Sequence, residues 1–599
     1  MKKIIKFARY ILIMMKKYRN TSFILPMIVV VCVTLFLALF CPHHLHFQEQ
    51  EQLFLYDIGY CADILSVPGG FSDLLGRFVT QFFIYAWLGA TIIAVLSVII
   101  LMQLQQLRML LALSNTRNWS DGLLLIPSGL LVAFVCDEHA LVGTFFALIL
   151  SLLYTYIIIV TKRVRLACLL ALAGSVVMYW LAGPLAVIGI LLSAFGLMRK
   201  ERSMTVHASV FFSLALFAIM PLWARQLVSV DMSRLFFGVH YYRVLVIHPL
   251  LPWLAALSAV IAVLAGFWQK ADNRRQAVMS NVIVILLLSL SIWQFSYNPK
   301  AEKVLAYDFM ARCRQWDKII ETADKEAPNN AFCTTVLNLA LAQKGKMTER
   351  MFDFEQNGLA GLIPAFQRDA ISPLAASEVF YHIGLINSAQ RFVFEAQEAI
   401  PDFQKSSRCY KRLAETNLIN GNYDVARKYL TTLQKTWYYR EWATKTSALL
   451  NDDNAIGRHK EYGTLRQLKV NDSFFYSDRD MVNMLGKLFM TNKHNRLAFE
   501  YLETTCLLTC DLDMFVNCLG LNSEINYPVI PSIFQQAIML WWARGHNASE
   551  GLPNGVRPDI AARFNGFAAA IQSKPVNHDK LQSQFGKTYW YYYFTNKQQ

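Results

Sequence analysis

Carboxylates and imidazoles are the side chains best suited to moving protons, and in the first half of this 599-residue sequence they gather in a few short stretches. Between two apolar runs lies Cys136-Asp137-Glu138-His139, with two carboxylates and an imidazole in one tight turn. An earlier and longer connection, residues 42–80, carries Glu49, Glu51 and Asp57 behind Pro42-His43-His44-Leu45-His46. A third stretch, residues 224–242, holds Arg225, Asp231, Arg234, His240 and Tyr241, and Arg243 follows it. One carboxylate could act as general base on a hydroxyl, while others hold a divalent cation such as Mg²⁺ or Mn²⁺. Arginine forks suit a phosphate. Each stretch also has a plainer reading. Asp137 or Glu138 would cap the next helix at the water boundary, and the arginines would snorkel to lipid headgroups. Three histidines within four residues match no helix-face ligand set and read as a hydrated interfacial turn.

The elements that must hold these groups follow from hydropathy. Hydrophobic residues make up 55% of the chain and charged residues 17%, against about 25% charged in a soluble chain; mean hydropathy is +0.31. Residues 1–295 hold 22 Lys+Arg and 11 Asp+Glu, whereas residues 296–599 hold 35 and 31. Two regimes predict two domains: a transmembrane helical domain over 1–295 and an extracytoplasmic helical repeat domain over 296–599. A spanning helix needs ~20 apolar residues, which predicts about nine spans, near 23–41, 79–103, 122–136, 140–161, 166–182, 184–198, 205–223, 245–268 and 278–295. With the N-terminus inside, 18 basic residues fall on cytoplasmic connections and four, Arg77, Arg225, Arg234 and Arg243, on outer ones. That asymmetry sets the orientation and sends the tail outside. The first apolar run is long for a signal peptide and lacks a small-x-small site, so it reads as an uncleaved anchor.

After Glu51 the apolar positions recur at helical spacing, which predicts two short amphipathic helices on the membrane surface, broken at Pro68-Gly69-Gly70. The +15 net charge sits largely beside apolar runs, where it sets topology; nucleic acid is not a predicted partner. The eleven cysteines show no zinc spacing. Cys506 and Cys510 lie one helical turn apart, and buried small hydrophobes are the default, although an oxidising compartment leaves a disulfide open.

The tail reads as alternating short helices. Its clearest unit, residues 413–430, has a turn at Gly421-Asn422, then Tyr423 and Ala426. It resembles a tetratricopeptide repeat, and such units stack into a solenoid because one cannot bury its apolar face alone. A solenoid would take a protein or peptide partner; the plain alternative is a helical cap with no ligand. The aromatic run Tyr589-Trp590-Tyr591-Tyr592-Tyr593-Phe594 reads as packing.

The predicted fold is therefore all-α, a polytopic bundle followed by a soluble tetratricopeptide-like α-solenoid. The layout of residues 1–295 resembles the GT-C class of membrane glycosyltransferases: a long first outer loop with an acid soon after the first helix, and a second acidic motif between the third and fourth helices. There is no strict Asp-x-Asp and no WWD-type signature. The resemblance implies transfer of a sugar from a polyprenyl-phosphate carrier at the outer face of a cell inner membrane. Glu49, Glu51, Asp57, Asp137 and Glu138 would be the catalytic carboxylates, with Asp137 and Glu138 on the metal. His139, Arg225, Arg234, His240 and Arg243 would be on the substrate. The chain also resembles uncharacterised bacterial membrane proteins with tetratricopeptide-like tails, which implies no activity. The alternatives are a non-enzymatic scaffold for envelope or polysaccharide assembly and, with less support, a transporter, since charges inside the spans are nearly absent.

Overall fold

The computed structural model describes residues 24–112, 122–238, 250–267, 274–400, 404–470, 477–521, 525, 527–545, 551–572 and 578–597. Helices dominate, and no strand occurs among the described residues. The chain divides into two compact units. The first comprises Met1–Glu302 together with Pro401–Ser407 and Lys435–Trp437, and the second comprises Lys303–Ile400, Arg408–Gln434 and Tyr438–Gln599.

The first unit runs through α1 (Ile24–Phe40), α2 (Pro42–Glu51), α3 (Ile58–Leu65), α4 (Gly70–Thr80), α5 (Ala86–Ala112), α6 (Ile126–Val135), α7 (Gly143–Val160), α8 (Val164–Ala182), α9 (Val187–Lys200), α10 (Met204–Leu227), α11 (Met232–Phe237), α12 (Leu250–Leu264), α13 (Arg274–Ser291) and the start of α14 (Pro299–Arg312). Among the described residues, five helical stretches are long and apolar enough to cross a membrane: Ala86–Leu111, Gly143–Val160, Val164–Lys200, Met204–Leu227 and Met279–Ser296. The bent pair Leu25–Phe40 and Pro42–Glu51 makes a sixth if the two together form one span. Large apolar side chains stand exposed along these stretches, among them Leu169, Phe211, Leu286 and Leu290. A lipid-facing surface accepts such side chains; water does not.

About nine spans were expected; the described residues show five such stretches, or six with the bent pair. The runs expected at 122–136 and 245–268 appear as the apolar helices Gly122–Val135 and Leu250–Leu264, each of which starts where a described segment starts. The two expected at 166–182 and 184–198 fall within the one stretch Val164–Lys200, interrupted at Gly183-Pro184 by a short 3₁₀ turn.

The connection over residues 42–80 does contain helices α3 and α4, separated at Ser66–Gly69, where Gly69 takes a positive φ of 79°. A close glycine contact holds α4 against α7: a Cβ on Gly76 would lie 2.4 Å from the Gly143 nitrogen. Small residues allow this approach of two backbones. It fixes the first turn of α7, which directly follows the acidic turn.

In the second unit, Ser407–Asn420 and Tyr423–Gln434 are helices joined at Gly421, whose φ of +83° suits glycine. Ala426 is fully buried. The aromatic end packs inward: Tyr589 and Trp590 are buried, and the Trp590 indole N–H donates to the Gln536 carbonyl at 2.8 Å.

Candidate functional site

Helix α2 has the sequence PHHLHFQEQE, and seven of its ten residues are buried: His44, Leu45, Phe47, Gln48, Glu49, Gln50 and Glu51. The hydrated turn expected over residues 42–46 is instead the first turn of this helix. Pro42 explains the start. It suits the first helical turn, where its missing N–H costs nothing, and it forces the preceding residue out of helical geometry. Cys41 accordingly sits at φ −128°, and the chain bends by 82° between Leu25–Phe40 and Pro42–Glu51.

The free amides at the start of α2 find a carboxylate far along the chain. His43 N donates to Glu302 Oε1 at 2.9 Å and His44 N to Oε2 at 3.3 Å. His44 Nδ1 lies 2.5 Å from the same Oε2. A negative charge at a helix N-terminus is favourable in itself, so Glu302 both caps α2 and orients His44.

One stripe of α2 then meets the turn after α6. His44, Gln48, Glu51 and Gln52 follow the i, i+4, i+7, i+8 spacing of a single helix face. His44 Nε2 lies 3.9 Å from Glu138 Oε2. Gln48 Nε2 donates to the carbonyls of Val135 at 3.0 Å and Asp137 at 2.8 Å, and Gln52 Nε2 donates to Ala140 O at 3.0 Å. His139 Nδ1 lies 2.7 Å from Glu51 Oε2, and its backbone N–H donates to Asp137 Oδ1 at 2.8 Å. The glutamines thus satisfy carbonyls at and just beyond the C-terminal end of α6, while the two imidazole–carboxylate contacts join the helix to the turn.

Burial, which opposes the charged imidazole, is outweighed at His139 by Glu51 and then by Glu138 and Asp137, and its pKa rises to about 9. His139 is therefore an imidazolium at neutral pH. Burial pushes the Asp137 carboxyl up, partly offset by the amide of His139. Three polar atoms on the stripe are buried with no hydrogen-bond partner: His44 Nε2, Gln48 Oε1 and Glu51 Oε1.

The sequence-derived candidates divide accordingly. Glu51, Asp137, Glu138 and His139 come together, and Glu49 is buried on the same helix. Asp57 is engaged elsewhere: it caps α3 by accepting from Tyr60 N at 3.0 Å and pairs with Lys435 Nζ at 2.6 Å. In this stretch Leu53 N donates to Lys405 O at 3.0 Å and Tyr56 N to Lys435 O at 2.7 Å. Arg225 is exposed in the last turn of α10, and Arg234 is half-buried in α11. His240 and Arg243 lie outside the described residues. Among the described residues, no three or more His, Cys, Asp or Glu side chains are grouped to hold a metal ion.

Sequence reasoning missed His44, Gln48, Gln52 and Glu302. The first three carried a usable signal, a polar stripe at helical spacing. Glu302 carried none, because its partner lies 258 residues away.

A family of unknown function (DUF6057) matches residues 17–596. The chain belongs to that family. The match takes in α2, the turn after α6 and Glu302, so every member of the cluster lies in family sequence. No curated protein and no solved structure matches the chain.

Proposed function

We propose that the first unit is a lipid-linked sugar transferase of GT-C-like design, working at the outer face of a cell inner membrane with Glu51 as its general base. The observation that carries this reading is the Glu51–His139 contact at 2.7 Å, which joins the two acid-bearing stretches in one buried cluster. A polar helix face buried among apolar helices is costly, and such clusters are kept where they do chemistry.

The chemistry runs on this chain's own residues. Burial raises the Glu51 carboxyl, which suits a proton acceptor, and His139 opposes that rise and orients the group. Glu51 takes the proton of the acceptor hydroxyl while that oxygen bonds to the anomeric carbon. The bond from that carbon to the carrier phosphate breaks, and the phosphate departs with the electron pair. The open acceptors Gln48 Oε1 and Glu51 Oε1 suit a hydroxyl-rich ligand, since each hydroxyl supplies a donor. Arg225, Arg234 and Arg243 are proposed to neutralise the leaving phosphate, with cytoplasmic lysines and arginines fixing the sidedness.

The test compares Glu51→Gln and His139→Gln with Asp57→Asn at matched abundance in membranes, reading surface glycan and lipid-linked sugar transfer. Losses of about 100-fold or more are expected for the first two, with transfer retained in the third. Unchanged glycans in both Glu51→Gln and His139→Gln end the proposal. A second reading, a non-enzymatic scaffold with a tetratricopeptide-like tail, is supported by the helical hairpin around Gly421 and the buried Ala426. Unchanged glycans together with a partner protein that is lost when residues 301–599 are removed would favour it.

A further inference from the structure

Four of the eleven unbridged cysteines meet in two pairs. Cys41 and Cys136 are buried neighbours in one core cluster, as are Cys506 and Cys518 in another. All four residues are buried, with Cys518 the most open at 8%. In each pair the members come from different elements. Cys41 stands at the bend between α1 and α2, and Cys136 ends α6. Cys506 lies on helix Arg496–Leu508 and Cys518 on helix Leu512–Leu519. The two helices are joined by Thr509-Cys510-Asp511, where Cys510 takes a positive φ of 57°. Cys510, the neighbour that sequence spacing offered to Cys506, is therefore spent on the turn, and the thiol that meets Cys506 comes from across it.

We propose that both pairs are disulfide sites, Cys41–Cys136 and Cys506–Cys518, closed in the mature protein. The proposal rests on the sidedness argued above, which puts the turn after α6 and the whole tail in a compartment where disulfides persist. The oxidant is itself a disulfide, carried by a dithiol oxidase protein or a small thiol. One cysteine thiolate attacks it and forms a mixed disulfide. The second thiolate then displaces the oxidant as its reduced thiol, so two protons and two electrons leave each pair as one S–S bond forms. Neighbouring thiols close to the ~2.05 Å bond where their Cα atoms stand about 4.4–6.8 Å apart.

The two bridges would do different work. Cys506–Cys518 staples a local hairpin. Cys41–Cys136 closes a much longer loop, which constrains the unfolded chain more. It also ties the residue before α2 to the residue before Asp137, and so fixes the polar stripe of α2 against its turn.

The experiment uses the full chain, extracted from membranes without reductant, alkylated under denaturing conditions and digested for mass spectrometry. The expected result is two linked peptide pairs, 41–136 and 506–518, with the other seven of eleven cysteines alkylated and both links lost on reduction. A C-terminal reporter is read in parallel. Eleven alkylated cysteines in a protein whose tail is outside overturn the proposal. A cytosolic tail overturns the sidedness reading and, with it, oxidation in the cell. The pairing itself is separable: oxidised glutathione added to folded, detergent-solubilised protein should give the same two links. Other links, or none, overturn it whatever the sidedness. Cys506→Ser should remove one link and leave 41–136 intact.

Discussion

In the second unit Arg408 reaches Asp308 at 2.5 Å and Glu378 at 3.2 Å, while Arg412 reaches Glu378 at 2.7 Å and Glu415 at 3.0 Å. Arg412 also lies over the Tyr381 ring at 3.6 Å. All these charged groups are buried or nearly so, and each acid faces a guanidinium. In the first unit the buried acids meet imidazoles instead, His139 on Glu51 and His44 on Glu302, and polar atoms are left over. A guanidinium stays charged at any physiological pH and binds in a planar fork; an imidazole titrates. The guanidinium pairs are permanent, which suits a core, although His382 Nε2 beside Glu378 is buried there without a hydrogen-bond partner. The imidazole pairs are switchable, which suits chemistry.

The largest expected effect breaks the guanidinium network. Arg408→Met leaves Asp308 and Glu378 buried with one cation fewer. Burial raises the Glu378 carboxyl, but Arg412 and Arg408, with His382, more than offset this and hold it at about 2. Breaking a buried pair from one side typically costs about 3–5 kcal/mol. Denaturant unfolding of the full chain in detergent should show a loss of that size. A change below about 1 kcal/mol would mean the network is not structural in this sense.

A smaller effect of opposite sign is expected at Glu503, a buried acid that the network does not reach. Neither of its carboxylate oxygens has a hydrogen-bond partner, and burial, followed by the Cys518 thiol, pushes it well above the ordinary range. A folded-state acid raised in this way costs nothing below its unfolded value of about 4.3, and the cost grows as pH rises toward the folded value. Glu503→Leu should therefore stabilise the chain by about 1–3 kcal/mol at neutral pH and flatten the slope above about pH 4.5. The same unfolding assay run at pH 4.5 and 7 separates this from a general packing gain; equal effects at both values would count against it.

How far the sequence foretold these regions follows the range of the contacts. Helical periodicity and turn residues are local, so the all-α build, the break at Pro68-Gly69 and the hairpin at Gly421 were legible. Span number was less so, because hydropathy divides Val164–Lys200 into two runs where the helical stretch is interrupted only by a short turn at Gly183-Pro184. Glu51, Asp137, Glu138 and His139 stood out through their crowding into short apolar-flanked stretches, and the structure brings them together. That α2 is buried was not. Its glutamines and glutamates read as water-facing until the carbonyls of Val135, Asp137 and Ala140 supply their partners. The Arg408 network was invisible for the same reason: its partners lie 30 and 100 residues away, and no local pattern marks an arginine as buried.

The smallest effect, and the one that separates the two clusters most sharply, is in pH. His139 faces Glu51, Glu138 and Asp137, and its pKa stands at about 9. Because the folded value is raised above the unfolded value of about 6.5, the stability it contributes is fully present below about pH 6.5 and is lost as pH rises through 9. The partner carboxylate is itself costly to bury, so the net loss between those limits is about 1–2 kcal/mol, less than the shift alone would give. The Glu378 cluster behaves in the opposite way. Its acid is held down at about 2, so its contribution is present above about pH 4.3 and disappears as pH falls toward 2; between 6.5 and 9 its arginines do not titrate. Unfolding midpoints of the wild-type chain and His139→Gln, measured at half-unit steps from pH 6 to 9.5, should converge as the pH rises. If the two curves instead stay parallel, His139 is not the group that titrates, and the imidazole-based cluster loses the property that distinguishes it from the arginine-based one.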